Sequence, residues 1–297
     1  MSDDQKAYQT NLEFSPIRPD RIHEPVFRPV KKGTRKTRFE VKRDIGRFNL
    51  KIVGPYLLGE DDADVYFTLL AMAARQRQFV HADLENEIGK EVWEELEAKA
   101  NAKSERTLAV RTTIYNLLKE VGRNPEGRSN YGWLLRSLDR MAHAGITVRE
   151  NLPDGRRQWG MNMIGYAFEE KENHDALVVS IDARAAQAIL PEGLSHRKIN
   201  LDERRALKSD RAKSLHKWIC TAMNEAEERT IGIDKLARKI WRDFDDIADS
   251  TKRKRRSRVK DTLEELKTIT GEDENLDAYD YKIRGKGGDA QVTIFRP

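Results

Sequence analysis

Lys252 to Lys260 reads KRKRRSRVK, seven positive charges in nine residues. Lys and Arg at this density do electrostatic chemistry. Each cation seated on a phosphate releases condensed counterions, which drives association with nucleic acid without reading its sequence. The whole chain carries 55 basic and 50 acidic side chains, a net of +5, so without these seven charges the remainder is net −2. The basic character is concentrated, and a mildly acidic body presenting one strongly basic segment reads as a nucleic-acid-binding protein.

Other chemistries lack their residues. No stretch matches G-x-x-x-x-G-K-[ST], the phosphate cradle of nucleotide hydrolases. His23, His81, His143, His174, His196 and His216 form no H-E-x-x-H or H-x-H pair, and Cys220 is the single cysteine, so no disulfide and no thiolate zinc set is expected. His143 and His216 fall in helical stretches and are expected to pack or to face solvent. The glycine-rich Gly285–Asp289 (GKGGD) lies between two strand patterns and reads as a hairpin turn. The expectation is a protein that is not an enzyme and carries no metal or cofactor. No apolar run approaches the ~18–20 residues of a spanning helix. Residues 1–16 lack the regions of a signal peptide. A bacterial cytoplasmic location without a membrane partner is expected.

The basic run must be carried by an element. Ser250 is expected to cap a helix running to Thr268, with Val259, Leu263 and Leu266 confined to its later turns. Its first two turns are then basic almost all round. Like charges one turn apart repel, and cations near a helix N-terminus oppose the dipole. A polyanion relieves both, whereas a plainly solvated face would interleave Glu. An import signal is the other competing reading, though such signals sit in loops. Before this helix come a short helix over Ile233–Trp241 and a supporting helix over Ser209–Glu225; after it, AYDYKIR and AQVTIF flank the GKGGD turn, with Tyr279, Tyr281 and Ile283 on one face.

The same order occurs earlier in the chain. Thr112–Val121 is a predicted helix, GRNPEGRSN a breaker, and Ser129 the cap of a helix ending before Gly145; ITVRENL, PDG and RRQWGMNMI then make a hairpin. Helix, turn, helix and two-stranded wing, occurring twice, predict an α+β fold of two winged-helix domains in tandem. The expected division is a flexible basic arm over 1–36, one domain over 37–190 and the other over 191–297. The length, 297 residues, agrees with roughly two domains of about 150 each. Arg18 to Lys51 holds twelve basic and four acidic residues, which a DNA-clasping arm and a solvated tail explain equally. Thr37–Val53 alternates as a hairpin should, and Asp61 or Asp62 is suited to cap a helix carrying Val65, Leu69, Leu70 and Met72. His81–Ser104 is either an extra helix or a charged insertion.

The candidate DNA-contacting residues follow from these elements. Lys252, Arg253, Lys254, Arg255, Arg256, Arg258 and Lys260 form the main surface. In the earlier helix, Leu134, Leu138 and Met141 face inward, which leaves Tyr131, Arg136 and Arg140 outward or at the rim. Arg136 and Arg140 are suited to phosphate or guanine, although Asp139 between them weakens this surface. Trp133 is expected in the core. Arg149, Arg156 and Arg157 flank the first wing tip, and Lys286 occupies the matching place in the second, where cations track phosphates or enter the minor groove.

STKRKRRSRVKDTLEELKTITG (Ser250–Gly271) resembles the basic recognition helix of plasmid replication initiators of the IncQ RepC type. FRPVKKGTRK (Phe27–Lys36), GPYLLGEDD (Gly54–Asp62), LLAMAA (Leu69–Ala74) and TTIYNLLKEVG are similar as well, so the resemblance spans nearly the whole chain from about residue 27. Val92–Arg106 departs from it in composition. The resemblance implies a tandem winged-helix initiator that binds iterons, the directly repeated sites of a plasmid origin. It also implies opening of adjacent AT-rich DNA so that a plasmid-encoded helicase and primase load, and, in some relatives, an inactive homodimer off DNA. Lys252–Arg258 would be the main iteron-reading surface and Tyr131–Arg140 the weaker one. Two such domains on one face of double-stranded DNA would cover roughly 20 bp. The alternative is a dimeric winged-helix transcriptional regulator on a palindromic operator. A single-strand or RNA binder would want exposed aromatics among its cations, and aromatics are only 7% of this chain.

Overall fold

The computed structural model describes residues 12–17, 26–31, 33–45, 47–76, 79–80, 107–170, 175–181, 197–269 and 279–297. His81–Ser104 and the boundary region 182–196 lie outside them. The first hydrophobic core is organised around helix α1 (Glu60–Gln76), whose middle turns are apolar on nearly every side. Val65, Tyr66, Phe67 and Leu69 are completely buried there. Against α1 lie α2 (Ile114–Val121) and α3 (Arg128–Ala142). In α2, Ile114, Leu117, Leu118 and Val121 recur at the helical period and are buried. Thr113 caps it by accepting from the Asn116 N–H. Gly122 ends it at φ +84°, the left-handed conformation that lets its own N–H and that of Arg123 reach the Lys119 and Leu118 carbonyls. Helix α3 starts after Gly127, whose carbonyl accepts from Asn130 and Tyr131, so Ser129 lies inside the first turn and is not the cap.

The sheets carry the long-range pairing. Strands β2 (Phe39–Ile45) and β3 (Phe48–Gly54) form the expected hairpin, as do β6 (Gly145–Leu152) and β7 (Gly155–Asn162). The structure joins the two hairpins through β3 and β6, with Ile52 opposite Ile146, into one sheet of order β2-β3-β6-β7. A second sheet, ordered β4-β5-β9-β8, combines β4 (Phe79–Val80), β5 (Thr107–Thr112), β8 (Ile164–Glu170) and β9 (Asp175–Ile181). Residues 12–17 and 26–31 overturn the expectation of a flexible arm. Strand β1 (Phe14–Ile17) pairs with β10 (Arg197–Asn200), and Val26 and Phe27 are fully buried beside Leu58. Three apolar side chains, Leu12, Val26 and Phe27, had no period to betray them because they enter the core singly.

The second core runs from Leu207 to Ile294. Helix α4 (Leu201–Ala206) leads into it, followed by α5 (Asp210–Ala222), capped by Ser209. Then come β11 (Glu228–Gly232), α6 (Ile233–Ile240), α7 (Asp249–Lys267), β12 (Asp280–Arg284) and β13 (Gln291–Phe295), with the strands ordered β11-β13-β12. Helices α5, α6 and α7 pack on one another. Ala248 is the N-cap of α7, so Ser250 sits in its first turn with Asp249, whose negative charge suits that end.

A buried ionic cluster joins the two cores. Glu60 receives Lys217 Nζ at 2.7 Å and Arg204 Nη2 at 2.8 Å, and Asp64 receives Arg204 Nε and Lys213 Nζ, both at 2.6 Å. Burial works to raise the Glu60 carboxyl, but Lys217 and Arg204 outweigh it and hold it below its usual range. Burial pushes Lys217 down to about 8. No helix among the described residues is long and apolar enough to cross a membrane.

Candidate nucleic-acid interface

Helix α7 divides along its length as its sequence predicts. Val259, Leu263 and Leu266 are buried against α5 and α6, and Lys252 to Lys260 carry the seven cations. These cations are not equivalent. Arg253, Lys254, Arg258 and Lys260 are exposed, and neither they nor Lys252 forms a side-chain hydrogen bond or ion pair among the described residues. Arg255 instead makes a two-bond fork with Asp243 (2.7 and 2.9 Å) and lies over the Trp241 ring at 5.3 Å. Arg256 forks onto Asp234 of α6 (2.6 and 2.8 Å), which raises its already high pKa. The self-repulsion of the basic turns is therefore partly relieved within the protein, by two carboxylates that also fix α7 against α6.

The β12–β13 hairpin meets this arrangement at its tip. Gly285 and Gly287 adopt left-handed φ of +86° and +64°, and Lys286 between them is exposed. A Cβ on Gly288 would fall 2.8 Å from Arg256 Nη2 and 3.1 Å from Asp234 Oδ2. The glycines of GKGGD thus serve a tight turn that closes over the Arg256–Asp234 pair, as the hairpin reading expects.

In the first lobe the structure separates residues that the sequence placed together. Arg136 is exposed, its guanidinium lying back over Gly132. Tyr131 is half-buried at the edge of the core. Arg140, expected outward, is buried: Nε donates to both Asp62 oxygens and Nη2 to Oδ1, where Ser137 also donates at 2.6 Å. It holds α3 onto α1 and is not available to a DNA surface. The carboxylate expected to cap α1 is thus a buried anchor; Asp62 accepts from the Gly59 N–H and from Arg35 as well. Trp133 packs on the core, donates to Asp61 and has the Arg123 guanidinium 3.7 Å above its ring. Arg128, in the first turn of α3, is exposed as well.

In the β6–β7 hairpin, Arg156 and Arg157 flank the turn in exposed positions, Arg157 with its guanidinium 5.5 Å from the Trp159 ring. Arg149 is exposed and donates to Gln158 across the strand pair. The histidine expectations divide. His143 caps α3 and is exposed, while His216 is buried one turn from Cys220 on α5. His216 Nε2 lies 2.7 Å from Glu203, which also accepts from the Tyr279 hydroxyl at 2.7 Å. Burial alone would lower His216, but the Cys220 sulfur and the Glu203 carboxylate push it up to about 9. Glu203, His216 and Cys220 offer three ligand atoms within 4.8 Å of one another, a grouping no sequence spacing revealed. Their hydrogen-bonding capacity is already used among themselves and on Tyr279.

A family model described as Replication protein C (RepC) matches residues 10–284 of the chain. No curated protein matches it. Among solved structures, a selenomethionine-derivative crystal structure of domains 2 and 3 of RctB is similar, with 13% identity and a TM-score of 0.55, covering 94% of this chain and 99% of that one. A second crystal structure of RctB domains 2–3 gives 12% identity and a TM-score of 0.53, with 93% and 96% covered. At this identity the likeness is one of fold, an α+β arrangement shared across both lobes.

Proposed function

Because this chain belongs to the replication protein C (RepC) family, we propose that it is a plasmid replication initiator that binds origin iterons and promotes opening of adjacent AT-rich DNA. Each lobe acts as a winged helix. Helix α7 is the main iteron-reading helix and the outward side of α3 the weaker one. The observation that carries this reading is the N-terminal part of α7, where Lys252, Arg253, Lys254, Arg258 and Lys260 have no side-chain hydrogen bond or ion pair among the described residues, on a helix locked to its scaffold. A helix-turn-helix places that part of its second helix in the major groove. Opening needs no chemistry of its own, and the protein acts without catalysis. Several copies on adjacent iterons strain duplex they do not read, and the strain concentrates in weakly stacked steps. A separate plasmid-encoded helicase and primase then load, and a homodimer off DNA is part of the reading.

The test is selection of sites from random duplex DNA at near-physiological salt, followed by footprinting. The expected result is a protected site of roughly 20 bp with two unlike half-sites about one helical turn apart. Head-to-tail repeats of that site beside AT-rich DNA complete the case. A short palindrome would instead identify a dimeric regulator, and absence of any enriched sequence would sink both readings.

A further inference from the structure

A groove of about 630 Å³ opens where the two lobes meet. Its cations are Arg28 and Arg43 from the first lobe and Arg229, Lys235, Arg238 and Lys239 from the second; among the described residues no carboxylate lines it. Two edge strands form its rims, since β2 and β11 each lie at the end of their sheet. Contacts across the lobe boundary fix the geometry nearby. Arg242 donates to the Val26 carbonyl and lies 5.5 Å from the Phe39 ring. Burial, and then the charge of Arg28, lower the Arg242 guanidinium to about 10, with Glu60 acting in the other direction.

Some of these cations are tied. Arg229 pairs with Glu227, Arg238 with Asp245, and Arg28 and Lys239 have partners of their own. Arg43 and Lys235 have no side-chain hydrogen bond or ion pair among the described residues, and they face each other's lobes across the groove. Cations held together without counter-charge repel, and an anion between them turns that repulsion into attraction. Helix α6 also links the groove to the reading helix. Its Asp234 holds Arg256 of α7, while the next residue and those one turn on line the groove.

We propose that this groove holds the phosphate backbone of duplex DNA where the duplex passes from one lobe to the other. The inference rests on the initiator reading and adds a sequence-independent clamp to it. Duplex is favoured over a single strand by the lining: single-strand grooves offer exposed aromatic rings for bases to stack on. The aromatic residue in this wall, Trp218, is only 2% exposed. Phosphates contacted here position the protein without specifying bases.

The experiment compares the full-length chain with an Arg43→Ala/Lys235→Ala variant, titrating each onto the selected duplex, a scrambled duplex and a single strand of equal length over a range of salt. Loss of two phosphate contacts should flatten the log–log salt slope by about two units on both duplexes while leaving the preference for the selected site unchanged. The charge-conserving pair Arg43→Lys/Lys235→Arg should retain the wild-type slope, which separates charge from folding. A wild-type slope in the alanine variant, alongside a flattened one when α7 cations are removed, overturns the clamp and leaves the initiator reading standing. A loss confined to the single strand overturns it in favour of that occupant. No duplex binding by the wild-type chain overturns the initiator reading and the clamp together.

Discussion

Arginines of one helix turn can have opposite jobs, and their carboxylate partners decide which. On α7, Arg255 and Arg256 each donate two hydrogen bonds to an aspartate, while Arg253, Lys254 and Arg258 donate none to other side chains among the described residues. A guanidinium already forked onto a carboxylate gains less from a phosphate than a free one, because the exchange breaks two charge-assisted bonds. Replacing Arg253, Lys254 and Arg258 with Ala should therefore flatten the salt dependence of DNA binding by up to about three units in log–log slope, with little change in thermal stability. Replacing Arg255 and Arg256 should flatten it less and lower the melting temperature, since α7 loses its ties to Asp243 and Asp234. Salt titrations and melting curves on the two variants check this. Equal slopes for both would mean that DNA displaces the aspartates.

At the scale of elements, α1 is the hub. Its first turns read EDDAD, and Arg35, Arg140, Arg204, Lys213 and Lys217 all converge on these carboxylates. Helix α3 is held to it by Arg140, whose removal leaves Asp62 buried with Arg35 as its remaining cation. Breaking a buried pair of this kind costs about 3 kcal/mol or more, so Arg140→Ala should destabilise the fold by that order in chemical denaturation. Arg136→Ala should leave stability within about 0.5 kcal/mol, as exposed substitutions do, and weaken DNA binding. The sequence could not separate these two arginines. They lie one turn apart on one helix, and the partner that buries Arg140 sits 78 residues upstream. Helices α2, α6 and α7 and the three hairpins β2–β3, β6–β7 and β12–β13 were legible because their signals are local: apolar period, turn glycines, a basic run. The pairing of β3 with β6, the seating of Val26 and Phe27, and the clamps from Asp234 and Asp243 were not, because each depends on a partner that no spacing rule names.

Across the whole molecule, titratable groups tie the lobes and the second core together, which makes stability depend on pH in a defined direction. His216 is buried, pushed up to about 9 by Cys220 and Glu203 against the cost of burial. The free imidazole titrates near ~6.5, so the folded state binds its proton more tightly than the unfolded state does. The stability it contributes is fully present below about pH 6.5 and is lost as pH rises through 9. Lys217 has the opposite sign. Burial lowers it to about 8, so the penalty on its charged form is present below pH 8 and is relieved as pH rises towards its ordinary value near ~10.4. Between pH 6.5 and 8 the histidine acts without the lysine and lowers stability as pH rises, opposed in part by Cys220, whose thiol the imidazolium holds below its usual value against the effect of burial. Denaturant midpoints for the wild type and His216→Asn, taken at half-unit steps of pH, measure it. The wild-type midpoint should decline and the variant's should stay flat. Cys220→Ala should reduce the decline, since it removes the stronger of the two groups that raise the imidazole while leaving Glu203 in place. A flat wild-type profile would mean that His216 is neutral in the folded protein.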